Sequence, residues 1–173
     1  MKTLLTLLVF LCVPLMGAEK GKVSKVFRND QHKVSFRYPP DWKSVEPQLK
    51  GTLVLLYARD GSSTCNLSVR KADKRKVEEM DKVYWKKIME LAHPNSNYEI
   101  KQVKLINGIG GKQVIVEHDF ILESPSGKHP ATSLIAATIR NGNRFILRVG
   151  THRTKVKQAR QSFDLMAGTL IFE

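Results

Sequence analysis

Five histidines, at positions 32, 93, 118, 129 and 152, are the residues best suited to acid–base chemistry or metal binding. None is spaced from another as His-x-x-x-His on a helix, and the two- or four-residue ligand spacings of a zinc site are absent. His118 falls among Val114, Val116, Phe120 and Leu122 on the apolar side of a predicted strand. It could serve as a base or ligand there, but a hydrogen-bonded core histidine is the plainer reading. Asp119 is its neighbour in sequence and points to the opposite side of the strand, so the two form no dyad. Gly108-Ile109-Gly110-Gly111 has the glycines of a phosphate cradle but precedes a predicted strand. A dinucleotide fingerprint needs a helix at that point, so the segment reads as a hairpin loop. There is no Gly-x-Ser-x-Gly elbow, and the acidic residues are scattered. Asn66-Leu67-Ser68 has the form of a glycosylation sequon but sits inside a predicted strand. No catalytic residue, cofactor or metal is expected, and the chain reads as a non-enzyme.

Positive charge is the stronger signal. Of 173 residues, 29 are Lys or Arg against 16 Asp or Glu, a formal charge of +13. One basic cluster comprises Arg70, Lys71, Lys74, Arg75 and Lys76; a second comprises Arg153, Lys155, Lys157 and Arg160, beside His152. Each lies just before or at the start of a predicted helix. Positive charge opposes the macrodipole there, so helix stability does not explain it. Either the clusters attract an anionic partner or they are solvated surface of a basic protein.

The first eighteen residues carry a positive start at Lys2, an apolar run from Thr3 to Leu15 and small residues at Gly17-Ala18. That is the layout of a secretory signal peptide, with a permanent anchor as the weaker reading. The run is shorter than the roughly 20 residues of a spanning helix. Bulky residues precede Cys12, which argues against lipid modification there. The rest, residues 19–173, is expected to form one domain, with a periplasmic or extracellular destination and no transmembrane segment after cleavage. That destination turns the charge away from nucleic acid and toward an acidic protein or an anionic envelope surface. Cys65 is then the only cysteine. It alternates with Leu67 and Val69 as a small buried hydrophobe, so the core must supply stability without a disulfide.

Period-two patterns predict strands over Lys25–Arg28, Lys33–Tyr38, Thr52–Arg59, Thr64–Arg70, Tyr98–Ile106, Lys112–Glu123, Ala131–Arg140 and Arg144–Val149. Asn141-Gly142 joins the last two as a two-residue hairpin. Ser44–Gly51 reads as a loop. Val77, Met80, Tyr84, Ile88 and Leu91 mark one face of a first helix, which His93-Pro94 ends. Val156, Ala159, Phe163 and Met166 mark a second over Thr154–Ala167, with Gly168 as its stop and a short strand at Thr169–Phe172. The expected architecture is α+β: one mainly antiparallel sheet packed with two main α-helices.

The stretch Val34-Ser35-Phe36-Arg37-Tyr38-Pro39-Pro40-Asp41-Trp42-Lys43 joins a half-buried strand to two prolines and a tryptophan set to close a core end. This Tyr-Pro-x-x-Trp run, with the helix-then-short-strand ending, resembles the PsbP-like superfamily over nearly the whole mature chain. The resemblance implies an α/β/α sandwich. It also implies an exported, non-enzymatic binding or assembly-accessory protein of the envelope, although members bind unrelated partners. A polyanion- or membrane-surface-binding module using the basic clusters is the alternative. A hydrolase whose site is assembled only in the fold is a second.

Overall fold

Alternation along the strands gives each one a face to bury, and two layers of helix answer two faces of one sheet. The computed structural model describes residues 23–92, 94 and 97–173; the expected leader at 1–18 lies outside them. In chain order come β1 (Lys25–Asn29), β2 (Val34–Tyr38), β3 (Lys43–Val45), β4 (Thr52–Tyr57) and β5 (Ser63–Lys71). Then follow α1 (Lys82–Ala92), β6 (Tyr98–Gly108), β7 (Gly111–Ser124), β8 (Gly127–Arg140), β9 (Asn143–His152), α2 (Val156–Gly168) and β10 (Ile171–Phe172). Seven strands form the main sheet in the order β3-β4-β5-β9-β8-β7-β6, every pair antiparallel. The order places β9 between β5 and β8, so the centre of the sheet joins segments far apart in sequence.

The expectation of a single sheet is corrected. β1, β2 and β10 form a separate three-stranded antiparallel sheet. It arises because Val34, Phe36 and Tyr38 of β2 turn inward to the α2 side of the core instead of continuing the main ladder. There they meet Leu134 and Ala136 of β8, Phe145, Leu147 and Val149 of β9, and Ala159, Phe163 and Met166 of α2. Trp42 is 3% exposed in the same cluster, and its N–H donates to the Pro39 carbonyl (3.1 Å), closing the proline turn. Cys65 is fully buried there, and burial pushes its thiol far above the usual range.

The alternate residues of the same strands face the other way. Ile135 and Ala137 of β8, with Val114 and Val116 of β7, pack against Tyr84, Trp85 and Met89 of α1. The sheet is thus sandwiched between two helices, as the α/β/α expectation has it.

Two local expectations change. Ser44–Gly51 is not wholly loop: Lys43–Val45 pairs with Leu55–Tyr57 as an edge strand with every residue exposed. The first helix is not continuous from Val77, because Val77–Glu79 is a single 3-10 turn and α1 begins only at Lys82. The Asp81 carboxylate accepts the Tyr84 N–H (2.9 Å) and supplies a new N-terminal cap. This break rotates the buried stripe onto Trp85 and Met89, leaving Leu91 80% exposed. Among the described residues no helix is long and apolar enough to cross a membrane.

Candidate anion-binding surface

Both basic clusters begin where β-structure gives way to helix, yet the fold treats them differently. Arg70 and Lys71 end β5, and Lys74, Arg75 and Lys76 follow on the connection to the 3-10 turn. Lys71, Lys74 and Lys76 are exposed and make no ion pair among the described residues. Arg75 lies 3.7 Å from Asp73, while its guanidinium carbon sits 4.6 Å from the centre of the Tyr84 ring. Glu79 reaches back to accept the Lys76 backbone N–H (2.6 Å). The cluster therefore does not face the open N-terminus of α1. The 3-10 turn and the Asp81 cap intervene, which corrects the helix-start placement.

Half of the second cluster is spoken for. Arg153 meets Asp119 at 3.2 Å and Arg160 meets Glu117 at 2.5 Å, both carboxylates being mostly buried on the α2 side of β7. Thr132 also donates its hydroxyl to Asp119 (2.6 Å). Lys155 and Lys157 stay exposed and pair with no carboxylate within ion-pair distance among the described residues. The start of this segment is capped by His152, whose Nδ1 accepts the Thr154 N–H (3.4 Å). Two of the four expected anion contacts are thus committed to intramolecular carboxylates.

His118 is fully buried on the α1 side, opposite in face to Asp119. Gly108 and Gly111 close the β6–β7 hairpin in register. Adding a Cβ at Gly110 would place it 2.4 Å from the Leu170 carbonyl, so this loop is packed against backbone, not open to a phosphate. Among the described residues no group of three or more His, Cys, Asp or Glu is placed to hold a metal.

Structural likeness to solved proteins is broad. The chain superimposes on the PsbP of the cyanobacterium Synechocystis (CyanoP) with a TM-score of 0.61 at 13% identity, covering 93% of this chain and 100% of that one. The fold is PsbP-like. The Saccharomyces cerevisiae Ran-binding protein Mog1p gives 0.61 at 9% identity over 87% of this chain and 95% of its own. Mycobacterium tuberculosis LpqN, involved in cell envelope biogenesis, gives 0.50 at 9% identity over 88% and 86%. No protein-family model and no curated protein matches the sequence. Identities this low speak for the architecture and not for a shared activity.

On this PsbP-like scaffold the structure adds two cationic residues outside both clusters, Arg144 and Arg148 of β9. Arg144 stands directly opposite Arg70 and donates from Nη1 to the Tyr84 hydroxyl (2.5 Å). Its Nε–H is buried and meets no acceptor among the described residues. Tyr84 thus receives one arginine on its hydroxyl and another, Arg75, over its ring. The four-residue spacing of Arg144 and Arg148 was the available signal, since it puts both on one face of a strand.

Proposed function

We propose that this protein is an exported, non-enzymatic binding or assembly-accessory protein of the cell envelope, which meets an acidic protein partner through Arg70, Lys71, Lys74, Arg75 and Lys76. The observation that carries the reading is the contrast between the clusters. Arg153 and Arg160 are neutralised by Asp119 and Glu117, whereas Lys71, Lys74 and Lys76 are exposed without an ion pair among the described residues. Exposed charge of one sign steers encounter and orientation without catalysis. Further support comes from the similar structures, which include a Ran-binding protein and one involved in cell envelope biogenesis. Export rests on the leader at residues 1–18.

Affinity capture from the native envelope fraction tests this reading. Lys74→Glu, Arg75→Glu and Lys76→Glu together should weaken capture of the partner while the folded state persists. Lys155→Glu with Lys157→Glu should have the smaller effect; Arg153 is left in place because it is already paired with Asp119. Capture by the first variant equal to wild type at low salt would overturn the assignment. Mass spectrometry of the mature protein should give an N-terminus near Glu19, and a full-length cytosolic product would reject export.

A further inference from the structure

Strands β5 and β9 place like charges face to face. Arg70 is paired in register with Arg144, an arrangement that costs stability in a sheet unless something anionic lies between. Two residues along, Ser68 faces Ile146, and two further, Asn66 faces Arg148. Helix α1 covers only part of this side of the sheet, and two concavities open beside it. One, of about 260 Å³, runs from Arg70 and Arg144 to Arg148 under Trp85 and Met89. The other, of about 590 Å³, continues past Arg148 along Phe120, Leu122, Ala131 and Gly150. Asn66 and Arg148 line both, so the two form one trough with Arg148 at its middle. Among the described residues no aspartate or glutamate lines either part.

Arg148 is the unusual member. Its Nε donates to the Ser133 hydroxyl (2.8 Å) and its guanidinium carbon lies 5.7 Å from the Phe120 ring centre. Among the described residues it faces no carboxylate, and burial lowers its pKa from the ordinary arginine value with nothing acidic to raise it again. A partly buried cation with no carboxylate beside it among the described residues is left undercompensated, and a guanidinium fork is shaped for the two oxygens of a carboxylate or phosphate. Beyond Arg148 the trough turns apolar. Phe120 and Ala131 form its floor, Leu122 stands 52% exposed at its side, and Gly150 leaves an unfilled place in the centre. A partner's aspartate or glutamate side chain would satisfy the arginine but leave that apolar length empty.

We propose that this trough binds an amphiphilic anion, a carboxylate or phosphate carried on an alkyl chain, with the head group on Arg148 and the chain along Phe120, Leu122 and Gly150. Its larger part is of the size that ordinarily holds a small organic ligand, about 300–1,000 Å³. Arg70 and Arg144 extend the positive field toward the head group. The proposal does not rest on the accessory role: of the cluster assigned to a partner only Arg70 also lines the trough, and neither Arg148 nor Gly150 belongs to that cluster.

Calorimetric titration of the purified protein with octyl phosphate, inorganic phosphate and octanol tests it directly. Octyl phosphate should bind, and the two fragments should each bind at least about tenfold more weakly, because each keeps only half of the contacts. Arg148→Gln should weaken octyl phosphate by at least about tenfold, the loss of a charge-assisted pair. Gly150→Leu should weaken octyl phosphate while leaving inorganic phosphate unchanged. A Cβ at Gly150 meets only the Thr64 hydroxyl, at 3.5 Å, so this variant keeps the fold even if Arg148→Gln does not. Absence of octyl phosphate binding up to millimolar concentration would overturn the proposal, as would equal binding by wild type and Gly150→Leu. Adsorption to phosphatidylglycerol vesicles that depends on Arg148, with octyl phosphate binding unaffected, would assign the residue to a membrane surface and overturn it too.

Discussion

Arg160 and Arg148 present the same side chain to opposite faces of the main sheet, and their surroundings differ in kind. On the α2 face, Arg160 lies against Glu117 and Arg153 against Asp119, at the margin of an apolar core that α2 and the small sheet close together. On the α1 face, Arg148 has a serine hydroxyl and an aromatic ring for company, and Arg144 has a tyrosine hydroxyl. A fold that needs its arginines only for cohesion supplies carboxylates, as the α2 face does. Where it omits them and leaves a concavity, the positive charge is directed outward to something that arrives later. Both faces carry an apolar cluster, but only the α2 face pairs its arginines with carboxylates among the described residues.

Three substitutions can break or sharpen this contrast. The largest effect should come from Trp42→Ala, which empties the closed side of the core. Deleting a large buried aromatic costs about 3–5 kcal/mol, and urea unfolding should show a loss in that range. A loss under about 1 kcal/mol would mean that the α2 side is not the cohesive one. Next comes Glu117→Gln, which leaves Arg160 beside a neutral amide. Partly buried as the pair is, the cost should be about 1 kcal/mol in the same measurement. The smallest effect is expected for Arg148→Met. Replacing a partly buried cation that meets no carboxylate among the described residues by an apolar chain of similar length should be neutral or slightly stabilising, within about 1 kcal/mol. If that variant instead loses more stability than Glu117→Gln, Arg148 is structural and the two faces are alike.

Much of the scaffold was legible in the residues because burial repeats at the period of each element. Val34, Phe36 and Tyr38 announced one buried side of β2, and Asn141-Gly142 announced the β8–β9 hairpin: both turn residues adopt positive φ, at 49° and 70°. Strand β3 was hidden because Lys43, Ser44 and Val45 are all exposed, so pairing alone makes it a strand and no pattern records that. The register of α1 was obscured by Asp81, since the apolar spacing from Val77 to Leu91 runs through a break that only the cap reveals. The first basic cluster was visible as a run of charge. Arg144 and Arg148 were not, because alternation tells that two residues share a face without telling what covers it. The pairing of β5 with β9, which puts Arg70 opposite Arg144, joins segments separated by a helix and three strands.

The small sheet has a bearing on timing. Its central strand, β2, is flanked on one side by β1, which precedes it through a tight turn. On the other side it is flanked by β10, where Ile171 pairs with Ser35 and Phe172 with Val34. The clasp continues in Arg28, which reaches Glu173 at 2.9 Å, and in the Glu173 N–H, which donates to the Lys33 carbonyl (2.9 Å). Contacts between such distant segments are slow to form, because the intervening loop must close before they reward it. On a ribosome, β2 is made long before its second neighbour. Val34 and Phe36 must therefore wait, half-covered, until residue 172 has emerged, and a nascent chain keeps this apolar stretch open to a chaperone for most of its synthesis.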